Sequence, residues 1–170
     1  MLELKLKNIS KAGIPEAISK AELYRGLNEP EESESICRDI LVVDPEHQLA
    51  IRLLGLAITD EFSGDAKDRH REAEALFQTL ADPYERLYYT GLLHERRAKA
   101  QMRAGRSPHT LAPLFEEAMR CFAEAEAIRP SGNDDSILRW NRCARLLQTH
   151  PGFREEREAQ TFDVMDSSPV

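Results

Sequence analysis

The sequence predicts an all-α fold, and three observations support this prediction. Apolar side chains recur every three or four residues over most of the chain, which is the spacing of one face of a helix. Prolines stand at the starts of these periodic segments, where a missing backbone N–H is tolerated best. Alternation of apolar and polar residues, which is typical of strands, is nearly absent.

Four helices are predicted in the first half of the chain. The first covers residues 15–27 and the second follows Pro30. Asp44 and Pro45 are expected to cap and begin a third helix over 47–60. The fourth is expected to start near Asp65. The inward positions are Ile14, Ala17, Ile18, Ala21, Tyr24, Ile36, Cys37, Ile40, Leu41, Leu49, Ile51, Leu54, Ile58, Ala73, Leu76, Phe77 and Leu80.

Three further helices are predicted, and then a tail. A long fifth helix begins at Pro83 and ends at Gly105, but either Gly91 or Ala98 suits its close contact with a neighbour, which leaves its register open. The segment 151–170 lacks an apolar stripe, so we expect a flexible C-terminal tail after a single domain over 1–150. The inward positions of the last two helices are Leu114, Phe115, Ala118, Phe122, Ala125, Ile137, Trp140, Cys143, Ala144 and Leu147.

Composition restricts the classes of function. The net charge of −7 opposes general binding to phosphate backbones, so no nucleic-acid partner is expected. The three cysteines are far apart and odd in number, which suits a reducing compartment better than a disulfide framework. The N-terminus lacks the continuous apolar stretch of a signal peptide, and no apolar run is long enough to span a bilayer. We therefore expect a cytoplasmic protein with no membrane partner.

A pattern of small and bulky residues recurs at the predicted helix contacts. In the sixth helix, Ala118, Phe122 and Ala125 share one face and Pro130 follows. Small residues admit a neighbouring helix closely, an aromatic ring fills the next gap, and a proline sets the following turn. Related spacings are Ser33, Cys37, Ile40 and Pro45; Ala73, Phe77, Leu80 and Pro83; Ile51, Leu54, Gly55 and Ile58; and Trp140, Cys143, Ala144 and Leu147.

This order of residues resembles the tetratricopeptide repeat family over roughly residues 15–150. The resemblance implies a right-handed α-α superhelix of about three helix pairs plus a C-terminal capping helix, with a concave face that binds a peptide or partner protein. The expected function is therefore a protein–protein interaction scaffold or adaptor. The lysine and asparagine set that such families use to clamp an acidic C-terminus is not found here, so that specificity is not carried over.

The candidate partner-binding residues are Arg52, Leu56, Arg97, Asn141 and Arg145. Arginines concentrate at the end of the fifth helix and along the seventh, against the acidic balance of the chain. A planar guanidinium grips a carboxylate with two hydrogen bonds and stays charged, so a partner with acidic groups is expected. The alternative is that these cations serve solubility and the helix dipole.

No enzyme chemistry is indicated. The histidines are scattered without the His-Glu-x-x-His spacing that places two zinc ligands on one helical face, and no glycine-rich phosphate loop occurs. We therefore predict no catalytic residue, no cofactor and no metal. Three other functions stay open: a small intracellular chaperone or assembly factor of a secretion or multiprotein system, a helical enzyme or metal-binding protein, and a homo-oligomeric structural subunit.

Overall fold

A computed structural model describes residues 4–64 and 66–166, with side chains described up to Thr161. Over these residues it contains a short 3-10 helix, eight α-helices and no strand, so the all-α prediction is confirmed. Contacts between Cα atoms divide the chain into two compact units, the first with α1–α4 and the second with α5–α8. The helices are α1 Ile14–Gly26, α2 Pro30–Val43, α3 Gln48–Asp60, α4 Lys67–Gln78, α5 Pro83–Arg103, α6 Pro108–Ala127, α7 Asp135–Thr149 and α8 Pro151–Asp166.

Most helix starts follow the prolines, with one correction. Pro30, Pro83, Pro108 and Pro151 each open a helix, as expected for a residue without an N–H donor. Asp44 and Pro45 do not cap α3; the cap is His47, whose Nδ1 accepts the backbone N–H of Ala50 at 3.2 Å. Asp65, near which the fourth helix was expected to begin, lies outside the described residues.

The first unit is a succession of four helices in which each packs on the next. Gly55 of α3 lies against Phe77 of α4, because a Cβ at Gly55 would come within 2.3 Å of the Phe77 ring. The rest of the predicted core is largely buried as well. The buried apolar side chains include Ile14, Ile18, Ala21, Cys37, Ile40, Ile51, Leu54, Ile58, Ala73 and Leu80. These small and bulky positions hold α1–α4 together.

The second unit pairs α5 closely with α6, and α7 packs on α6. Ala118, Phe122 and Ala125 are fully buried, as their spacing predicted. On α7 the buried face differs in part from the prediction: Cys143 is buried as predicted, but Ser136 and Leu146 are buried as well, and Trp140 is 38% exposed. A helix with few apolar residues is fixed by its neighbours, so its own stripe predicts the register poorly.

The segment after His150 continues as helix α8, where the sequence predicts a flexible tail. Phe153 is 3% exposed and its ring meets Phe115 and His150 edge to face, at centroid distances of 5.8 and 5.3 Å. The buried Phe153 therefore attaches a helix whose other side chains, as far as Thr161, are mostly exposed. Its flexibility and the single domain over 1–150 stay predictions, and residues 167–170 of the tail lie outside the described residues.

Candidate functional site

The exposed side of α7 carries the strongest candidate surface. Leu138, Asn141, Arg142 and Arg145 follow one another at steps that keep them on one side of a helix. Leu138 is 62% exposed, and both arginines are exposed. We call these four residues the α7 stripe. It combines an open apolar side chain, an amide and two cations.

The positive charges of the α7 stripe are not neutralised by the described carboxylates of the protein. The opposite side of the helix is buried through Ser136, Cys143 and Leu146, so the stripe points away from the core. Among the side chains that the structure describes, those of residues 4–64 and 66–161, no carboxylate forms an ion pair with Arg142 or Arg145. Both guanidinium groups are therefore available to an acidic partner.

The five predicted partner-binding residues lie in both units. Asn141 and Arg145 belong to the α7 stripe, and Arg97 is half-buried on α5 in the same unit. Arg52 is half-buried on α3 of the first unit, and Leu56 of the same helix is 8% exposed. The structure thus brings Asn141 and Arg145 onto one face and makes Leu56 part of the interior.

Two other cations, Lys99 of α5 and Arg139 of α7, are held by a buried carboxylate. Glu95 of α5 has no solvent exposure; Lys99 pairs with its Oε1, and Arg139 Nε of α7 lies 3.6 Å from its Oε2. A carboxylate buried this deeply requires such partners. Lys99 and Arg139 therefore connect elements of the second unit, and the surface cations of α7 are Arg142 and Arg145.

A network of charged side chains joins α2, α4 and the end of α3 in the first unit. Arg38 Nη2 lies 2.6 Å from Glu34 Oε1 and 2.5 Å from Glu72 Oε1. Arg69 Nη2 lies 2.5 Å from Glu34 Oε2, and its Nη1 lies 2.9 Å from Glu72 Oε2. Glu61 completes the group at 3.5 Å from Arg69. Arg38 contacts two of the carboxylates and Arg69 contacts all three, which indicates a structural role.

The pKa values in this network follow from its geometry. Burial raises the pKa of the Glu34 carboxyl, but hydrogen bonds from Arg69 and Arg38 outweigh burial and hold that pKa at about 2. The pKa of Glu61 is raised, first by burial and then by its contact with Glu34. The network thus favours the ionised form of Glu34 and disfavours the ionised form of Glu61.

Three potential metal ligands meet between α5 and α6. His94 comes from α5, and Glu117 and Cys121 lie one turn apart on α6. One ligand atom from each side chain falls within 4.8 Å of the other two. Cys121 is buried, while His94 and Glu117 are half-buried, so the group reaches from the interior to the surface. The sequence analysis predicted no metal ligand, and it missed this triad because its members come from two helices.

Gly91 explains why these side chains meet. A Cβ at Gly91 would lie 2.7 Å from the Phe122 ring and 3.1 Å from Cys121 Cβ, so α5 approaches α6 most closely there. His94 stands three residues later, on the same side of α5, and therefore also faces α6. The sequence left open whether Gly91 or Ala98 contacts the neighbouring helix. It therefore could not predict that His94 faces α6.

The three thiols are poor nucleophiles. Burial raises the pKa of Cys37 and of Cys143 to about 12. Burial, and then the charge of Glu117, raise the pKa of Cys121 to about 11. Since the thiolate is the reactive form, none of them is activated at neutral pH.

Comparison with models of protein families, with curated proteins and with solved structures finds no match for this chain. Among the described residues, no helix has both the length and the apolar character needed to cross a bilayer.

Proposed function

We propose that this protein is a tetratricopeptide-like adaptor that binds an acidic, partly apolar segment of another protein on the α7 stripe. The observation that carries the proposal is a pair of exposed arginines, Arg142 and Arg145, which no described carboxylate neutralises and which lie next to the open Leu138. Arg97, half-buried on the neighbouring helix α5, is a third cation that we assign to the same partner. The right-handed superhelix of about three helix pairs with a capping helix belongs to this proposal.

Charge and burial support an acidic partner. Each guanidinium can receive a carboxylate through two parallel hydrogen bonds, and Leu138 adds apolar area beside them. Because the chain as a whole carries a charge of −7, a local cationic stripe discriminates between surfaces better than a uniformly basic protein does. The occupant is therefore a segment that carries Asp or Glu close to one bulky apolar residue.

Helix packing within each unit supports the repeat. Gly55 against Phe77 and Gly91 against Phe122 place a glycine of one helix on an aromatic ring of the next. The same small-to-bulky order suggested tetratricopeptide-like pairs from the sequence. Such pairs leave one helix of each pair with an outward side that is free for binding.

The test is peptide selection followed by charge reversal. Random peptides are selected on the immobilised full chain, and an enriched peptide is titrated while the fluorescence of Trp140, the single tryptophan, is followed. We expect enriched peptides to combine acidic and bulky apolar residues. The double variant Arg142→Glu/Arg145→Glu should weaken binding at least about tenfold, which is about 1.4 kcal/mol.

A matched control separates this site from general electrostatics. Arg71 is 76% exposed and lies in the first unit, so Arg71→Glu changes the net charge without touching the α7 stripe. Its affinity should equal that of the wild type. Peptides enriched without acidic residues, or equal binding to the double variant with its helical circular dichroism intact, would remove the proposal.

A further inference from the structure

We propose that His94, Glu117 and Cys121 form a zinc-binding site with three protein ligands. This site lies between α5 and α6, does not involve the α7 stripe, and is independent of the adaptor proposal. It rests on the convergence of three different ligand atoms within 4.8 Å of one another. Imidazole nitrogen, carboxylate oxygen and thiolate sulfur are the three side-chain ligands that Zn²⁺ takes in proteins.

The spacing is close to that of a coordinated ion. Zinc bonds of about 2.0 to 2.3 Å in a tetrahedron separate the ligand atoms by roughly 3.5 Å. The separation of up to 4.8 Å therefore needs only a contraction of about an ångström, within reach of side-chain rotation. Gly91 already brings α5 close to Cys121, since a Cβ there would lie 3.1 Å from Cys121 Cβ.

The surroundings favour zinc over the harder cations. Mg²⁺ and Ca²⁺ prefer oxygen ligands throughout, whereas a thiolate and an imidazole select a borderline or soft metal. Arg120 donates a hydrogen bond to Glu117 Oε1, which orients the carboxylate as outer partners of zinc ligands commonly do. The Glu117 side chain is 40% exposed, so the ion has a route from solvent.

Zinc binding releases one proton from the protein. Zn²⁺ displaces the thiol proton of Cys121, a zinc–sulfur bond forms, and the proton leaves to solvent or buffer. The three protein ligands leave one tetrahedral position for water or for a donor atom from another molecule. The chemistry of the site is therefore reversible metal binding with an exchangeable fourth ligand.

The experiment uses the full chain after treatment with a chelator. Zn²⁺ is titrated against a chromophoric competitor, and Co²⁺ is added separately as a spectroscopic substitute. We expect one zinc ion per chain, and a cobalt spectrum with a thiolate charge-transfer band and the strong visible bands of four-coordinate geometry. The cobalt spectrum reports sulfur ligation in the wild type, so it needs no variant.

Matched variants locate the ligands. Cys121→Ser and His94→Gln should each weaken zinc binding by about 100-fold or more, and Cys121→Ser should also abolish the charge-transfer band. Cys143→Ser removes another buried thiol of the same unit, and His109→Gln removes an exposed imidazole; both should bind like the wild type. A wild-type cobalt spectrum without the thiolate band, or zinc affinity unchanged in Cys121→Ser and His94→Gln, would overturn the proposal.

Discussion

Glu34 shows how a single carboxylate can organise one unit. It accepts hydrogen bonds from Arg38 on its own helix and from Arg69 on α4. Its side chain is only 16% exposed, so solvent screens these contacts less than at an open surface. The sequence places Glu34 in the first turns of α2, where a helix dipole would have explained it; the structure adds the two arginines.

We predict that Glu34→Gln lowers the free energy of unfolding by about 1 to 2 kcal/mol at neutral pH. The pKa of Glu34 falls from an ordinary 4.5 to about 2 on folding, so the unfolded chain binds this proton more tightly. The stabilisation is then complete above about pH 4.5 and is lost as the pH falls towards 2. Urea unfolding at a series of pH values measures this difference; a difference independent of pH would contradict it.

Substitution of Glu61 should change the free energy of unfolding in the opposite direction from substitution of Glu34. Its raised pKa, caused first by burial and then by Glu34, means that the ionised carboxyl is disfavoured in the folded state. Glu61→Gln should therefore leave stability equal or raise it by up to about 1 kcal/mol at neutral pH. The same urea experiment measures it. A loss as large as that of Glu34→Gln would mean that the contact with Arg69 matters more than the repulsion between the carboxylates.

At the scale of the elements, two glycines determine how closely helices approach. Gly55 fits against a fully buried Phe77, and Gly91 fits against a fully buried Phe122. Neither glycine is needed for its backbone conformation, since both lie in the middle of helices with ordinary torsion angles. At each position, a methyl group in place of the hydrogen atom would clash with the neighbouring ring.

We predict that Gly55→Ala and Gly91→Ala each destabilise the protein by about 1 to 3 kcal/mol, because the new Cβ would displace a buried ring. The gain in helix propensity, about 1 kcal/mol, offsets this only in part. Thermal or urea unfolding measures the change, and amide exchange should show each effect in its own unit.

Gly26 is the matched control for these two substitutions. It is the last residue of α1, and a Cβ there meets nothing within 4 Å. Gly26→Ala should be neutral or slightly stabilising. Equal stability of all three alanine variants would show that the close helix contacts are absent.

At the scale of the whole molecule, the charge is uneven. The chain carries −7, yet α7 holds three arginines against one aspartate. An acidic partner is therefore repelled by the protein at long range and attracted by the α7 stripe at short range. Salt weakens both effects, but a contact with two arginines dominates once the partner is bound.

We predict that the affinity for an acidic peptide falls several-fold as ionic strength rises from about 0.05 to 0.5 M, since the Debye length shrinks from about 14 Å to about 4 Å and screens the attraction between the charges. Trp140 fluorescence titrations at each salt concentration measure this. The variant Arg142→Glu/Arg145→Glu should lose the dependence. An affinity that rises with salt would mean that the net charge, and not the stripe, controls binding.

The sequence by itself determined the helical class, seven of the eight helices and most of the core. Apolar spacing and proline position are local signals that survive in any tertiary context, which is why Ile40, Phe77 and Phe122 were placed correctly inside. The sequence also indicated that the arginines of α7 are candidates for binding a carboxylate. It missed α8, which is attached through the buried Phe153 and through polar contacts of Glu156 and Arg157 rather than through an apolar stripe.

The tertiary structure alone decided which side chains meet. Gly91 and Ala98 stand two turns apart on one side of α5, so the sequence left open which of them meets the neighbouring helix, and tertiary packing placed Gly91 against Phe122. That choice brings His94 to Cys121 and Glu117. In the same way, only packing assigned Arg139 to the buried Glu95 and left Arg142 and Arg145 outside. Contacts between helices join residues distant in sequence, so no spacing within one helix can specify them.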